Sequence, residues 1–199
     1  MNRIQVFVVG WALSLFCIVH AASYSAQRDN VIALGELTEP PAMRDAEGFE
    51  AEGGLKAIYF DALDYKGKPT KVFAWLGFPE DLSALVPGIV LVHGGGGTAF
   101  KEWVSKWNAQ GFAAISIAVE GQTDRSDLES KDLHNPRGWE RHEWLGPRRD
   151  GIYGDSAEPL EDQWMYHAVA DTILANSLLR SFAEVDSEKV GVMGISWGG

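Results

Sequence analysis

Lys189-Val-Gly-Val-Met-Gly-Ile-Ser-Trp-Gly-Gly199 decides how the rest of the chain is read. Its apolar positions predict a short buried strand, Lys189 to Met193, running into Gly194-Ile195-Ser196-Trp197-Gly198. That G-x-S-x-G pattern is the mark of a nucleophile elbow, a sharp strand-to-helix turn that holds a serine in a strained backbone conformation with its hydroxyl clear of the sheet. Glycines flank the serine because side chains there would meet the neighbouring strand and helix. A bare five-residue pattern also fits a glycine-rich turn with an incidental serine, so its surroundings matter. Here it follows an apolar run, and a second matching part, His93-Gly94-Gly95-Gly96-Gly97, ends another apolar run.

Outward from these two points the chain alternates strand and helix. Pro87-Gly88 introduces Ile89-Val-Leu-Val-His93, a continuous apolar run of the kind buried on both faces of a parallel sheet. Thr98 predicts the cap of a helix over 99–110, with Phe100, Trp103, Val104 and Trp107 at helical spacing on the core side and Gly111 as its stop. Residues 112–119 read as the next buried strand, which completes a parallel crossover. Residues 120–159 are rich in charge, Gly and Pro, and a loop that long inside a compact domain is usually functional or disordered. A helix over 160–182 follows, with Met165, Val169, Ile173, Leu174, Leu178 and Phe182 expected on its buried side. Towards the start, 55–60 and 70–76 are β-rich runs around Tyr65-Lys-Gly-Lys-Pro69, the signature of an edge hairpin. Residues 23–54, polar and broken by Pro40-Pro41, read as an irregular lead-in.

The 199 residues carry 17 basic and 28 acidic side chains, a net charge of −11. An acidic surface repels phosphate backbones and anionic headgroups, which argues against nucleic acid and membrane surfaces as partners. Residues 1–22 read as a secretory signal peptide: Arg3, an apolar core from Val6 to Val19, then His20-Ala21-Ala22 with cleavage after Ala21 or Ala22. A spanning helix needs nearer ~20 residues than this core supplies, so an uncleaved anchor is the lesser reading, and no stable membrane association is expected once the leader is removed. The single cysteine, Cys17, lies within it, which leaves the remainder without a disulfide.

Val90-Leu-Val-His-Gly-Gly-Gly-Gly97, Asp186 to Gly199 and, more loosely, Trp164-Met-Tyr-His-Ala-Val169 resemble the α/β-hydrolase superfamily. Within it they are similar to the branch of acetylxylan esterases, cephalosporin C deacetylases and dienelactone hydrolases. The resemblance covers 55–199. It implies an α/β fold, a mostly parallel sheet with helices on both faces and an antiparallel N-terminal edge hairpin. In the family's strand order the elbow strand is central, so a chain stopping just after the elbow is expected to leave that strand's far edge unpaired.

The resemblance implies that Ser196 is a nucleophile. A serine hydroxyl attacks only when a base takes its proton, and the resulting oxyanion needs donors already in place. The expected donors are the Trp197 backbone N–H and one from Gly94 or Gly95. A phosphate cradle is the competing reading of the glycines, but the Gly-Lys-Ser/Thr that should follow is missing. His93, just before the loop, is expected to hold it in place by hydrogen bonding. His134, Glu140, His142 and Glu143 match no metal-ligand spacing and read as loop residues, and His167 as a packed helical histidine. No metal or organic cofactor is implied.

In this fold the triad runs Ser, then Asp or Glu, then His, whereas all five histidines precede Ser196. The triad acid and base are therefore expected beyond Gly199, and the 199-residue chain alone is expected to be inactive. The leader and the resemblance together point to a secreted serine carboxylesterase for small acyl, acetyl-type esters, a carbohydrate being one option for the alcohol. Trp139 or Trp144 would stack on the sugar, while ordinary packing is the alternative for these two and for Trp197. A prolyl-oligopeptidase-like peptidase shares the elbow, but the roughly 65 residues between leader and Ile89 cannot hold a 4–8-blade propeller. A non-catalytic hydrolase-like binding protein is the reading from another class. Neither the exact ester nor the oligomeric state follows from the sequence.

Overall fold

A computed structural model describes residues 24–50, 53–127, 129, 137–151 and 153–199. The leader, with Cys17 and His20, lies outside the described residues, as does His134. The chain divides into two compact units, Met1–Glu36 and Leu37–Gly199. In the first, residues 24–33 form helix α1 and Leu34–Glu36 a 3-10 turn. The lead-in is thus not irregular throughout, because residues 26–28 and 32–34 are helix formers. In the second unit, β1 (Met43–Asp45) begins just after Pro40-Pro41 and pairs antiparallel with β2 (Lys56–Tyr65).

β2 turns into β3 (Lys68–Gly77) through Lys66 and Gly67, both at positive φ (51° and 72°). Two such residues give a turn whose twist matches that of the flanking strands, so the predicted hairpin forms here. β4 (Val86–Val92), β5 (Ala113–Ile117) and β8 (Val185–Gly194) complete a six-stranded sheet in the order β1-β2-β3-β5-β4-β8. β4 runs parallel to both β5 and β8, and the β1–β2, β2–β3 and β3–β5 pairs are antiparallel. Inside the 120–159 segment β6 (Gln122–Ser126) and β7 (Trp139–Arg141) form a separate antiparallel pair.

Successive strand residues enter two different cores. Ile58, Phe60, Val72, Leu76, Val90, Ile115 and Ile117 face helix α3 (Trp164–Arg180), with Leu174, Leu178 and Leu179. Ala57, Tyr59, Phe73, Trp75, Ile89 and Leu91 face helix α2 (Lys101–Asn108), whose Val104 is fully buried. Both faces being covered is why these strands read as continuous apolar runs.

Three local expectations are corrected. α2 starts at Lys101 with Phe100 at its N-cap and no side-chain cap. The Thr98 hydroxyl instead donates to the Thr123 carbonyl at 2.8 Å, tying the preceding loop to β6. On α3, Met165 and Val169 face outward, because Trp164, Ala168, Leu174, Ala175, Leu178 and Leu179 take the sheet side. The elbow strand is longer than expected and mostly exposed: among the described residues β8 pairs with β4 alone, and Val192 is 53% and Met193 47% exposed. The unpaired edge agrees with what the resemblance implied.

Candidate active site

Register places the two glycine-bearing segments together. In the β4–β8 pair Val92 lies opposite Gly194, and in the β4–β5 pair Val92 lies opposite Ile117. Three parallel strands thus end level, and the segments after them, from His93, Ala118 and Ile195, emerge at one end of the sheet. Ligand sites of open α/β sheets lie at that carboxyl end. The Ile195 N–H donates to the Val92 carbonyl at 3.3 Å and closes the gap between the first and the third segment.

Ser196 has φ 58°, in the left-handed region, and begins a 3-10 turn over Ser196–Gly198. For a serine this conformation costs on the order of 1–3 kcal/mol, which the surrounding structure must supply. Gly194 shows why the turn needs glycine: a Cβ there would overlap the Gly198 carbonyl. Across from the serine, a Cβ on Gly94 would stand 3.2 Å from Ser196 Cβ, so bare backbone lets the glycine loop lie against it.

The loop is held from several sides. Gly97 N–H donates to Gly94 O at 3.0 Å, and Gly96 N–H to Glu120 Oε1 at 3.3 Å. The Trp139 indole donates to Gly96 O at 3.0 Å, and the Gln122 side-chain amide to Gly97 O. The N–H groups of Gly94 and Gly95 take part in none of these bonds. His93, 1% exposed, accepts the Val119 N–H at Nε2 (3.1 Å), so its Nδ1 carries the proton it donates to Gly94 O (2.7 Å). Burial lowers its pKa, against the opposing pull of the Gly94 carbonyl and the Glu120 carboxylate. A neutral imidazole with both nitrogens engaged braces the loop.

Glu120, 4% exposed, also accepts Arg149 Nε at 3.0 Å, and its carbonyl accepts Arg141 Nη1 at 2.6 Å. The Arg149 guanidinium carbon lies 5.2 Å from the centre of the Trp197 ring, which meets Trp164 edge-on at 6.1 Å. The Trp197 indole fills the space beneath Gly95, where a Cβ would overlap its Nε1. The sequence reading missed Glu120, Gln122 and Arg149. For the first two a signal existed, polar residues directly after a buried strand, in the same relation to β5 as the glycines to β4. For Arg149, in a charge-rich loop, there was none.

The other candidates lie elsewhere. Trp144 packs on Tyr59 at 5.3 Å, under the Arg44 guanidinium at 4.1 Å. With Glu140, His142 and Glu143 it lines a cleft of about 460 Å³ beside Arg44 and Arg125. His142 is buried with neither nitrogen bonded among the described residues, and burial depresses its pKa to about 4. His167 is buried and its Nε2 meets the Glu161 carbonyl at 2.8 Å; burial lowers its pKa too. None of these three described histidines bonds the Ser196 hydroxyl.

A serine at positive φ between a parallel strand and a helical turn, faced by a glycine loop from the adjacent strand, belongs to an α/β-hydrolase fold. Comparison with solved structures agrees. The acetyl xylan esterase from Paenibacillus sp. R4 superposes with a TM-score of 0.51 at 21% identity, over 85% of this chain and 50% of that one. Acetyl xylan esterase 1 from Thermoanaerobacterium sp. JW/SL YS485 gives 0.59 at 18% identity, over 86% and 51%. Residues 45–199 match the acetyl xylan esterase (AXE1) family, and the chain belongs to it. It spans about half the length of these solved relatives. No curated protein matches it by sequence.

Proposed function

We propose that this chain carries the nucleophile and oxyanion parts of a secreted serine esterase. The Ser196 hydroxyl attacks the carbonyl carbon of a carboxylic ester. Its proton passes through a base to the departing alcohol as the C–O bond breaks, and water then releases the acid from the acyl-serine by the same route. The Gly94 or Gly95 N–H, together with that of Trp197, receives the oxyanion. The observation that carries this reading is Ser196 at φ 58° against the bare backbone of Gly94. The acid and base come from sequence after Gly199, a reading supported by the commitment of both His93 nitrogens elsewhere and by the triad order of the fold. The 199-residue chain alone is then inactive. Family membership supports an acetyl ester on a carbohydrate, with the sugar beside Trp139 at the glycine loop. The leader would direct export, and among the described residues no helix is long and apolar enough to cross a membrane.

The test is made on full-length protein recovered from the medium, whose mature N-terminus by mass should follow Ala21 or Ala22. A fluorophosphonate should label Ser196, and Ser196→Ala should abolish labelling and turnover of p-nitrophenyl acetate. kcat/KM should be higher on acetylated xylose than on p-nitrophenyl octanoate or a glycyl-prolyl anilide. Labelling at another serine would overturn the site, and preference for the anilide would move the assignment to the peptidases. Turnover by the 199-residue chain above its own Ser196→Ala control would refute the missing base.

A further inference from the structure

We propose that Glu120 and Arg149 are positioning residues that set the glycine loop and the nucleophile turn relative to one another; this rests on the reading of Ser196 as nucleophile. Both side chains are withdrawn from water, 4% and 14% exposed, and they meet at 3.0 Å. Removing a carboxylate and a guanidinium from water is costly, and a packed apolar pair of the same volume often serves stability as well or better. Stability alone therefore does not account for an ion pair at this position. Geometry does.

Each partner of the pair reaches a different part of the site. Glu120 Oε1 accepts the Gly96 N–H at 3.3 Å while bound to Arg149 Nε, so one carboxylate oxygen fixes both the loop and the guanidinium. Arg149 in turn lies over the Trp197 ring at 5.2 Å, opposing an indole that Trp164 meets edge-on and Gly95 covers. Trp197 directly follows Ser196, so a shift of its ring turns the peptide whose N–H belongs to the proposed oxyanion pair. The loop is the other half of that pair. Gly96 N–H, Gly96 O and Gly97 O are bonded to Glu120, Trp139 and Gln122, and the N–H groups of Gly94 and Gly95 take part in none of these bonds. The ion pair is the link between two donors that come from different strands. Donor placement of this kind acts on the transition state, where the oxyanion forms, and little on the bound ester.

The expected signature is a split between kcat and KM. In the full-length enzyme, Glu120→Gln keeps a carbonyl oxygen for the Gly96 N–H but loses the charge facing Arg149, and Arg149→Met keeps length and contact with Trp197 but loses the fork. Each should lower kcat on p-nitrophenyl acetate by about 10-fold or more, since misplacement by about 1 Å costs on the order of 100-fold. KM should stay within about two-fold, and fluorophosphonate labelling of Ser196 should slow in step with kcat. Circular dichroism identifies folded variants, and Glu120→Gln, nearly isosteric, is the one on which the proposal stands. A folded Glu120→Gln enzyme with wild-type kcat and labelling rate, beside a dead Ser196→Ala control, would overturn the positioning role and leave the serine reading intact. A wild-type enzyme no faster than Ser196→Ala would remove both.

Discussion

At the scale of single residues the site depends on atoms that are missing as much as on atoms present. Ser196 holds a φ of 58° only because its neighbours allow the chain to turn sharply there. A methyl group at Gly194 would run into the Gly198 carbonyl, which belongs to the same turn and cannot move without unwinding it. Gly194→Ala should therefore relax Ser196 to negative φ and slow its fluorophosphonate labelling in the full-length protein by 100-fold or so, the scale set by a 1 Å misplacement. Labelling at the wild-type rate would show that the turn tolerates a side chain. Trp197 is wedged among Gly95, Trp164 and Arg149.

At the scale of elements, the long helix shows how far periodicity carries. Its apolar residues are spread around the helix, so no single stripe marks the inward face, and the sheet selects the side bearing Ala168, Ala175, Leu178 and Leu179. Leu179 is fully buried and Met165 is 37% exposed. Leu179→Ala should cost about 2–5 kcal/mol of stability, the usual range for a buried leucine, whereas Met165→Ala should stay within roughly 0.5 kcal/mol. Urea denaturation of the two variants checks this, and equal losses would mean that the assigned faces are wrong. The hairpin needed no such choice at its turn, which Lys66-Gly67 fixes, and an irregularity between Ala62 and Tyr65 then shifts the register of the strands beyond it.

At the scale of the whole molecule, two buried groups set opposing pH dependences. His142 has its pKa lowered from 6.5 to about 4, so between those values only the unfolded chain takes the proton and stability rises with pH. Asp171, whose Oδ1 is unbonded among the described residues, has its pKa raised from 3.8 to about 8 by burial. Between those values only the folded chain holds its proton, and stability falls as pH rises. Each slope is about 1.4 kcal/mol per pH unit, so the two cancel between pH 4 and 6.5 and Asp171 alone removes about 2 kcal/mol from pH 6.5 to 8. Asp171→Asn should abolish that upper fall, and His142→Phe should start it near pH 4. Denaturation curves at pH 4.5, 6 and 7.5 test both; an Asp171→Asn profile superimposed on the wild type would refute the assignment.

Features that neighbouring residues settle among themselves could be read directly from the sequence. The continuous apolar runs that become β4 and β5, the turn at Lys66-Gly67, the elbow glycines around Ser196 and the four-glycine loop were all legible, because backbone preference and local sterics act over a few positions. Tertiary structure decided whatever depended on partners distant in the chain. It gave Thr98 to the Thr123 carbonyl instead of a helix end and drew Trp144 under Arg44 into a separate cleft. It also brought Glu120, from after β5, and Arg149, from the long loop, to a glycine loop some 25 to 50 positions earlier. No period or spacing announces such a meeting, since it follows from strand register, which levels the ends of β4, β5 and β8 and sets the segments beyond them side by side.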